Sequence, residues 1–483
     1  MEEIYRNHPI LILESFIKSS WKFIIPMCFI AFENIAQGSL WVLVALVPIL
    51  LFTLIYSFLS WRKNTYCFSD KYILIQKGLF KVSKKQILFE RVQTFDILEP
   101  LIYRPFGIVV LKIDTGNTSE EGSDITLNIT RAQVEVLRKQ IFHLRPDEVL
   151  EADGEKKKFV EEHRVKVKEI FMLGATNNNL WMGIVALGTL YKVFDDYLEG
   201  WLEIDWHFLE NQISLYRPEK VGILKFLGIL AMLLLGYAII STLFGLMGSY
   251  LKYGDFRVMR VADEIKIDYG LLNKKHYQFP FEKINAVYFR QNLVQSLFGY
   301  QKICIEIIGY GNESGEEALL YPLVKRSNAN QVMRDILPEL LYEEKIQYVQ
   351  EKTAIKFILN QLIWRGLILL IPLALIRQVP ATYRLILGAI LILDGFLVGY
   401  SEYRHTAIGI GENLIFLSYK GRGREEVVLP IKKIESFELM QTLFQKKSNL
   451  MNYRIHVWSN GLKGHYKIKN LDKEYYEDKL LNL

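Results

Sequence analysis

Residues that could perform catalysis are scattered through this sequence and form no recognisable catalytic motif. It contains no HExxH, no G-x-S-x-G and no phosphate-binding loop. The Gly409–Gly411 segment is followed by Glu412, so it fails as a dinucleotide fingerprint and instead predicts a turn at a strand end. His8 and His163 recur at matching positions, which placement near a membrane interface explains more simply than metal binding. We therefore expect no enzymatic activity, no cofactor and no metal site.

Positive charges recur where each of three similar segments turns between its early strands. These cations are Lys81, Lys84 and Lys85, then Lys274, Lys275 and His276, then Arg422 and Arg424. Cations beside an anionic leaflet contribute about 1 kcal/mol each. The clusters predict contact with the membrane surface by charge. A specific pocket for a lipid headgroup remains the alternative.

A second set of polar residues lies inside apolar segments. It consists of Glu33, Asn360, Arg365 and Asp394. An Arg or Asp at the centre of a membrane helix costs about 2.5–3.5 kcal/mol, so such residues usually have partners. Arg365 and Asp394 lie on either side of a turn at Pro380, each about 22 Å from it along a helix. We predict an intramembrane ion pair between them, which is either structural or part of a transport or proton path.

An internal repeat sets the architecture. Leu88–Gly107, Pro280–Gly299 and Pro430–Asn449 align without a gap, and the apolar anchors Phe89, Phe281 and Ile431 align within them. In the second and third copies, the segment that follows alternates apolar and polar residues, which is typical of a half-buried strand. A shorter echo relates 8–16 to 163–171, so each repeat begins before the apolar segments that interrupt it.

The apolar segments occur in pairs, in a chain of 483 residues that is 51% hydrophobic with a net charge of +6. The predicted spans are Trp21–Ala36 and Leu40–Leu59, Phe171–Phe194 and Val221–Leu251, and Phe357–Ile376 and Tyr383–Tyr400. Each pair predicts a transmembrane helical hairpin. Flanking cations favour a cytoplasmic location for the segments between hairpins.

The predicted fold is an α+β membrane protein with three transmembrane hairpins, each followed by a small β-rich domain closed by a helix. The predicted hairpin regions, with their lead-in or linker, are 1–62, 146–252 and 343–402, and the predicted β-rich domains are 63–145, 253–342 and 403–483. The cysteines Cys28, Cys67 and Cys304 are far apart and predict no disulfide framework.

This arrangement resembles the bacterial pleckstrin-homology (PH)-like membrane proteins, in particular the YdbT-like members with three such domains. The resemblance is carried by Tyr72–Gly78 and Glu264–Gly270, by the three apolar anchors, and by Leu101–Gly107 and Leu293–Gly299. It implies antiparallel, partly open barrels capped by a C-terminal helix. The third copy departs from the pattern, because Asn449 replaces the glycine and Gly421 comes one place late.

The resemblance also implies a non-enzymatic protein of the bacterial cell envelope, often accompanied by a smaller one-domain membrane protein. Some family members are linked to protection against membrane-active antimicrobial peptides. We therefore expect a multi-pass scaffold of the cell membrane, with cytoplasmic domains, that contacts anionic lipids and binds no nucleic acid. The alternative is a small transporter or flippase built on the membrane helices.

Overall fold

The three repeats fold as three β-rich domains arranged in a row. The computed structural model describes residues 4–20, 22, 41–69, 71–79, 81–92, 94–115, 125–141, 160–177, 223–307, 317–370, 381–419, 423–457 and 465–473. Within these residues each domain has its own buried apolar cluster, and the clusters of the second and third domains extend into each other.

The first domain contains two antiparallel sheets separated by a 3-10 turn at Phe89–Arg91. Strands β1–β4 form the first sheet in sequential order, and β5–β7 belong to the second. The elements are β1 (Ile4–Arg6), α1 (10–20), α2 (Trp41–Lys63), β2 (Thr65–Phe68), β3 (Tyr72–Lys77), β4 (Ser83–Leu88), β5 (Thr94–Glu99), β6 (Ile108–Asp114), β7 (Ile125–Thr130) and α3 (Arg131–Ile141). The buried anchor Phe89 marks where the chain passes from one sheet to the other.

The second domain repeats this plan, with its 3-10 turn at Phe281–Lys283. Its elements are β8 (Val160–Arg164), α4 (Val167–Thr176), α5 (Ile223–Tyr253), β9 (Arg257–Val261), β10 (Glu264–Tyr269), β11 (Lys274–Pro280), β12 (Ile284–Gln291), α6 (Leu293–Leu297), β13 (Tyr300–Ile307), β14 (Leu319–Lys325) and α7 (Arg326–Ile336). The capping helix α7 buries Ala329, Val332, Met333 and Ile336 against the sheets.

The third domain follows the same order, with its 3-10 turn at Ile431–Lys433. Its elements are β15 (Gln347–Tyr348), α8 (Ala354–Arg365), α9 (Ala381–His405), β16 (Ala407–Ile410), β17 (Leu414–Tyr419), β18 (Arg424–Pro430), β19 (Ile434–Met440), α10 (Leu443–Lys446), β20 (Leu450–Val457) and β21 (His465–Asp472). Strand β21 extends to Asp472, and the predicted closing helix after it lies outside the described residues.

One turn keeps the same backbone conformation in all three domains. Gly107 and Gly299 have φ angles of 64° and 69°, and Asn449 has φ 54°. Asparagine tolerates this left-handed conformation better than most residues other than glycine. The substitution of Asn449 for glycine therefore leaves the turn intact in the third domain.

The first strand of each domain comes from before the helices that interrupt the repeat. Strands β1, β8 and β15 pair antiparallel with β2, β9 and β16 respectively. The helical segment between the two strands of each pair therefore begins and ends at the same sheet. This is the structural basis of the sequence echo between 8–16 and 163–171.

The prediction of three transmembrane hairpins is wrong. Among the described residues, only two helices are long and apolar enough to cross a membrane, and their spans are Leu234–Tyr253 and Arg384–His405. Helix α4 has 10 residues, about 15 Å, and ends at Thr176; the rest of the predicted span Phe171–Phe194 lies outside the described residues, apart from Asn177. Helix α8 changes to a π-helix at Gly366–Leu370, directly after Arg365. Apolar composition alone did not predict where the regular helix α8 ends.

The other predicted segments fall largely beyond the described part of the chain. Trp21–Ala36, 178–222 and 371–380 are outside it, apart from Lys22. Helix α2 covers most of the second predicted segment but is not one of the two candidate spans.

Glycines set the close packing of both long helices on their short neighbours. A Cβ added to Gly399 in α9 would lie 2.6 Å from Cα of Ile358 in α8. A Cβ added to Gly174 in α4 would lie 2.6 Å from the carbonyl oxygen of Gly245 in α5. Small residues at such contacts allow helix backbones to approach closely in membranes. These contacts hold α8 against α9 and α4 against α5.

Candidate functional site

The second sheet of the first domain continues directly into the first sheet of the second domain. We call this contact the first junction: strand β5 pairs antiparallel with β11, giving a seven-stranded sheet of order β7-β6-β5-β11-β10-β9-β8. The opposed residues are Phe95 with Gln278, Asp96 with Tyr277, Ile97 with His276, Leu98 with Lys275, and Glu99 with Lys274. Backbone hydrogen bonds between domains hold them in a fixed register.

The second and third domains meet in the same way. At this second junction, β12 pairs antiparallel with β18 in another seven-stranded sheet. The opposed residues are Val287 with Val428, Tyr288 with Val427, Phe289 with Glu426, Arg290 with Glu425, and Gln291 with Arg424. In the alignment of the repeats, every one of these pairs corresponds to a pair at the first junction. One pairing rule therefore serves both junctions.

Charged side chains form a bound network at the second junction. Arg290 Nε lies 3.0 Å from Glu425 Oε2, and Arg290 also contacts Glu317, which lies 3.1 Å from Lys302 Nζ. The Glu425 side chain is 4% exposed and accepts a hydrogen bond of 3.0 Å from the hydroxyl of Tyr419. Burial alone would raise the pKa of Glu317, but Lys302 and Arg290 outweigh burial and hold this pKa below its usual value. Each charged side chain of this network therefore lies beside one of opposite charge.

A cavity of about 510 Å³ lies at the first junction. Among its lining residues, Glu99 accepts a hydrogen bond of 3.0 Å from Arg131 Nε and lies 3.7 Å from His276 Nε2. The other ring nitrogen of His276 lies 2.7 Å from Asp268 Oδ1. Because its acidic and basic groups contact one another across the junction, the cavity resembles a structural contact more than a catalytic site.

Asp96 is the buried acid of β5 whose ionisation opposes the fold. Its side chain is enclosed, Oδ1 has no hydrogen-bond partner among the described residues, and burial raises its pKa well above the usual value. Lys112, on the neighbouring strand, opposes this shift without cancelling it, and Asp114 adds to it. Because the pKa of Asp96 is raised in the folded state, protonated Asp96 contributes its full stabilisation below the unfolded pKa of about 3.9. This stabilisation is lost as pH rises through the folded-state pKa.

We expect Asp96→Asn to stabilise the first junction at pH 8 by about 1–3 kcal/mol, because the amide reproduces the neutral acid without a buried charge. The gain should shrink at pH 5. Hydrogen exchange of the β5 and β11 amides at the two pH values measures the effect. Glu90→Gln, at an exposed acid of the same domain, is the control and should change neither value. Equal protection of wild type and Asp96→Asn at pH 8 would contradict the prediction.

The structure brings together the two residues predicted to pair inside the apolar region. Arg365 Nε in α8 lies 3.0 Å from Asp394 Oδ2 in α9. Arg365 also contacts Gln361, and Gln361 Nε2 lies 2.7 Å from Glu402 Oε2. Glu402 Oε1 in turn lies 2.7 Å from Nζ of Lys469 in β21. The pair is thus one end of a polar chain that leads from the helices into the third domain.

The predicted cation clusters lie mainly in strands rather than in loops. Lys84 and Lys85 belong to β4, and Lys81 is exposed just before it. Lys274, Lys275 and His276 begin β11 and take part in the first junction, and Arg424 begins β18 and takes part in the second. Arg424 Nε lies 2.5 Å from Glu426 Oε1, and Arg422 is outside the described residues. Of these clusters, only the one in the first domain lies away from a described junction.

The junction residues Glu99, Arg290, Glu317 and Glu425 were not predicted from the sequence. The signal that the sequence offered was the repeat itself, which aligns β12 with β19. In the structure β12 is buried along most of its length, whereas β19 is not. In the part of the chain that the structure describes, no cluster of His, Cys, Asp and Glu could hold a metal ion.

Comparison with known families shows the class of protein to which this chain belongs. The bacterial PH domain family (bPH_2) matches residues 11–145, 219–340 and 367–480, which together make up most of the chain. The chain belongs to this family.

A curated relative extends the likeness over the whole chain. The UPF0699 transmembrane protein YdbT of Bacillus subtilis (strain 168) is 25% identical over 496 residues, covering 98% of this chain and 97% of the relative. No solved structure matches. With the two apolar helices, these similarities identify a membrane protein that carries bacterial PH domains.

Proposed function

We propose that this protein is a non-catalytic scaffold of the bacterial cell membrane that protects the envelope against membrane-active peptides. The observation that carries the proposal is the pair of junctions with one register. Two successive domains joined by a continuous sheet cannot rotate independently, so the three domains act as one extended platform. A platform fixed to membrane helices suits the organisation of lipids or proteins along the membrane better than it suits turnover of a substrate.

The charges support the same reading. Many charged side chains at the junctions bind each other, and Glu425 is sealed between Arg290 and Tyr419. Buried charges that bind one another specify how two domains are arranged, whereas a catalytic group must also reach a substrate. The scaffold is therefore proposed to act through its surfaces.

The proposed orientation places the domains in the cytoplasm. Helices α2, α5 and α9 carry cations where they enter the domains, among them Lys63, Lys252 and Arg404. An excess of such cations is typical of the cytoplasmic side. On that side, exposed cations such as Lys81 and Lys84 would approach the anionic leaflet, as screened charge contacts rather than as a headgroup pocket.

Deletion of the gene tests the proposed role. We expect the deleted strain to become several-fold more sensitive to cationic membrane-active peptides, with little change towards antibiotics that act inside the cell. The minimum inhibitory concentrations of peptides, detergents and ionophores measure the effect, and re-expression of the wild-type chain is the control. Unchanged peptide sensitivity would overturn the protective role, while sensitivity to ionophores alone would favour transport.

The polar chain in the third helix pair favours one second candidate, a small transporter or flippase. Asp394, Arg365, Gln361 and Glu402 are linked in series between the two helices. Such residues mark substrate or proton pathways in many membrane proteins. The variants described in the Discussion separate this candidate from the scaffold.

A further inference from the structure

The two ends of the domain row carry the two halves of the junction that is used twice inside it. In the alignment of the repeats, β4 of the first domain corresponds to β11 and β18. Strand β19 of the third domain corresponds to β5 and β12. Among the described residues, β4 pairs only with β3 and β19 pairs only with β20. Each end therefore presents one sheet edge of a kind that is paired elsewhere in the chain.

Burial distinguishes these end strands from their paired equivalents. Phe95 and Val287 are 1% and 0% exposed at the two junctions, whereas the equivalent Phe437 in β19 is only partly buried. Gln278 is buried in β11, while the equivalent Gln86 in β4 is exposed. In the part of the chain that the structure describes, the end strands thus lack the cover that a neighbouring domain gives their equivalents.

The two edges are complementary in charge. Strand β4 reads SKKQIL and has two lysines and no acid, while β19 reads IESFELM and has two glutamates and no base. If the junction register is repeated, Gln86 lies opposite Phe437, Lys85 opposite Glu438, Lys84 opposite Leu439, and Ser83 opposite Met440. Opposite charges directly across an antiparallel pair are favourable. Glu438 already binds Arg454, so a lysine would join an existing ion pair.

We propose that β4 of one copy pairs with β19 of a second copy, making a third junction with the register of the first two. The contact is heterologous, because two different surfaces meet, and it extends the row of domains from chain to chain. A second copy is the occupant that the observations favour, since one chain carries both complementary edges. Long exposed sheet edges are otherwise a liability that proteins cover or block. This inference does not depend on the protective role.

Disulfide trapping between two differently tagged chains tests the pairing. One chain carries Lys84→Cys and the other carries Leu439→Cys, and both are expressed together and oxidised in native membranes. Residues directly opposed in an antiparallel pair have Cβ atoms about 4.5–5.5 Å apart, which is close to the reach of a disulfide. We expect a cross-linked species that contains both tags. The native Cys67 and Cys304 are buried, and chains without added cysteines control for background.

Register is tested by moving one cysteine along the strand. Ser436→Cys places a thiol on the same strand, three residues from Leu439 and also accessible, yet out of register with Lys84. We expect it to reduce cross-linking to Lys84→Cys several-fold. Equal cross-linking from both positions would overturn the proposed register.

Exchanging the charges of the two strands tests the pairing separately from any effect of the cysteines on folding. Adding Glu438→Lys to the Leu439→Cys chain should lower the yield, and adding Lys85→Glu to the other chain should restore it. A product with one tag and the added mass of a smaller protein would instead identify that protein as the occupant. If one chain that carries both Lys84→Cys and Leu439→Cys forms an internal disulfide, and no product with two tags appears, the proposed pairing with a second copy would likewise be overturned.

Discussion

Replacing Arg365 or Asp394 singly with leucine should sharply lower the amount of protein in the membrane. Each change removes one member of an ion pair whose Nε and Oδ2 are 3.0 Å apart in the structure. An uncompensated Arg or Asp at the centre of a membrane helix costs about 2.5–3.5 kcal/mol. That is a large fraction of the stability of a typical domain. Quantitative immunoblotting of membrane fractions measures the loss.

The double variant Arg365→Leu/Asp394→Leu should recover most of the wild-type level. Replacing both members of a buried ion pair by apolar residues is often nearly neutral. The control is Ile392→Leu on the same helix, which alters an exposed apolar side chain and no charge. Single variants that accumulate as well as this control would show that the pair contributes nothing to stability.

The same double variant separates the two proposed functions. If both the protein level and peptide resistance return, the pair is structural, as the scaffold requires. If the level returns and resistance does not, the charges take part in the activity, and the transporter gains support. The result is interpretable because level and activity are measured in the same cells.

Arg290→Ala should destabilise the second junction by about 3–5 kcal/mol, the cost of leaving one member of a buried pair alone. Glu425, 4% exposed, would lose the positive charge that lies 3.0 Å from its Oε2, while Glu317 would keep Lys302. Hydrogen exchange of β12 and β18 in detergent micelles should therefore accelerate strongly. The rest of the second domain should change less, because its own core remains intact.

An exposed ion pair in the same domain provides the matched control. Arg334 contacts Glu343 at 2.6 Å, with both side chains more than half exposed. Exposed pairs contribute about 0–1 kcal/mol, so Arg334→Ala should have little effect. Arg290→Met combined with Glu425→Met should recover part of the loss. If Arg290→Ala and Arg334→Ala behave alike, the junction does not depend on the buried network.

The sequence allowed the repeated domains and the contact between Arg365 and Asp394 to be predicted, because both depend on spacing along the chain. Strand periodicity identified the sheets, and equal spacing in sequence from Pro380, where a turn was predicted, indicated that Arg365 and Asp394 lie at one depth. Gly270, at φ 103°, lies in the turn between β10 and β11. The lysines after this turn were assigned to a loop because the turn was assumed to be longer than it is. Strand β11 begins at Lys274.

The junctions and the helix lengths could not be predicted in the same way. Alternation shows which face of β12 is buried, but it does not show which strand lies beside β12. Pairing with β18 depends on two domains meeting, and residues of the two strands are far apart in sequence. Helix length failed for a different reason. The apolar pattern continues past Arg365, whereas the regular α-helix gives way there to a π-helix at Gly366–Leu370.

The strands β1, β8 and β15 have a consequence for the order of synthesis. Each leaves the ribosome before the helices that separate it from its partner strand, so it must wait until those helices have been made. The sheet can be completed only when both ends of the segment between the two strands have come together. Completion of each sheet would therefore report that the whole intervening segment has been made and has returned to its starting point. A nascent chain in which that segment is misplaced would keep an incomplete sheet, which a protease could recognise.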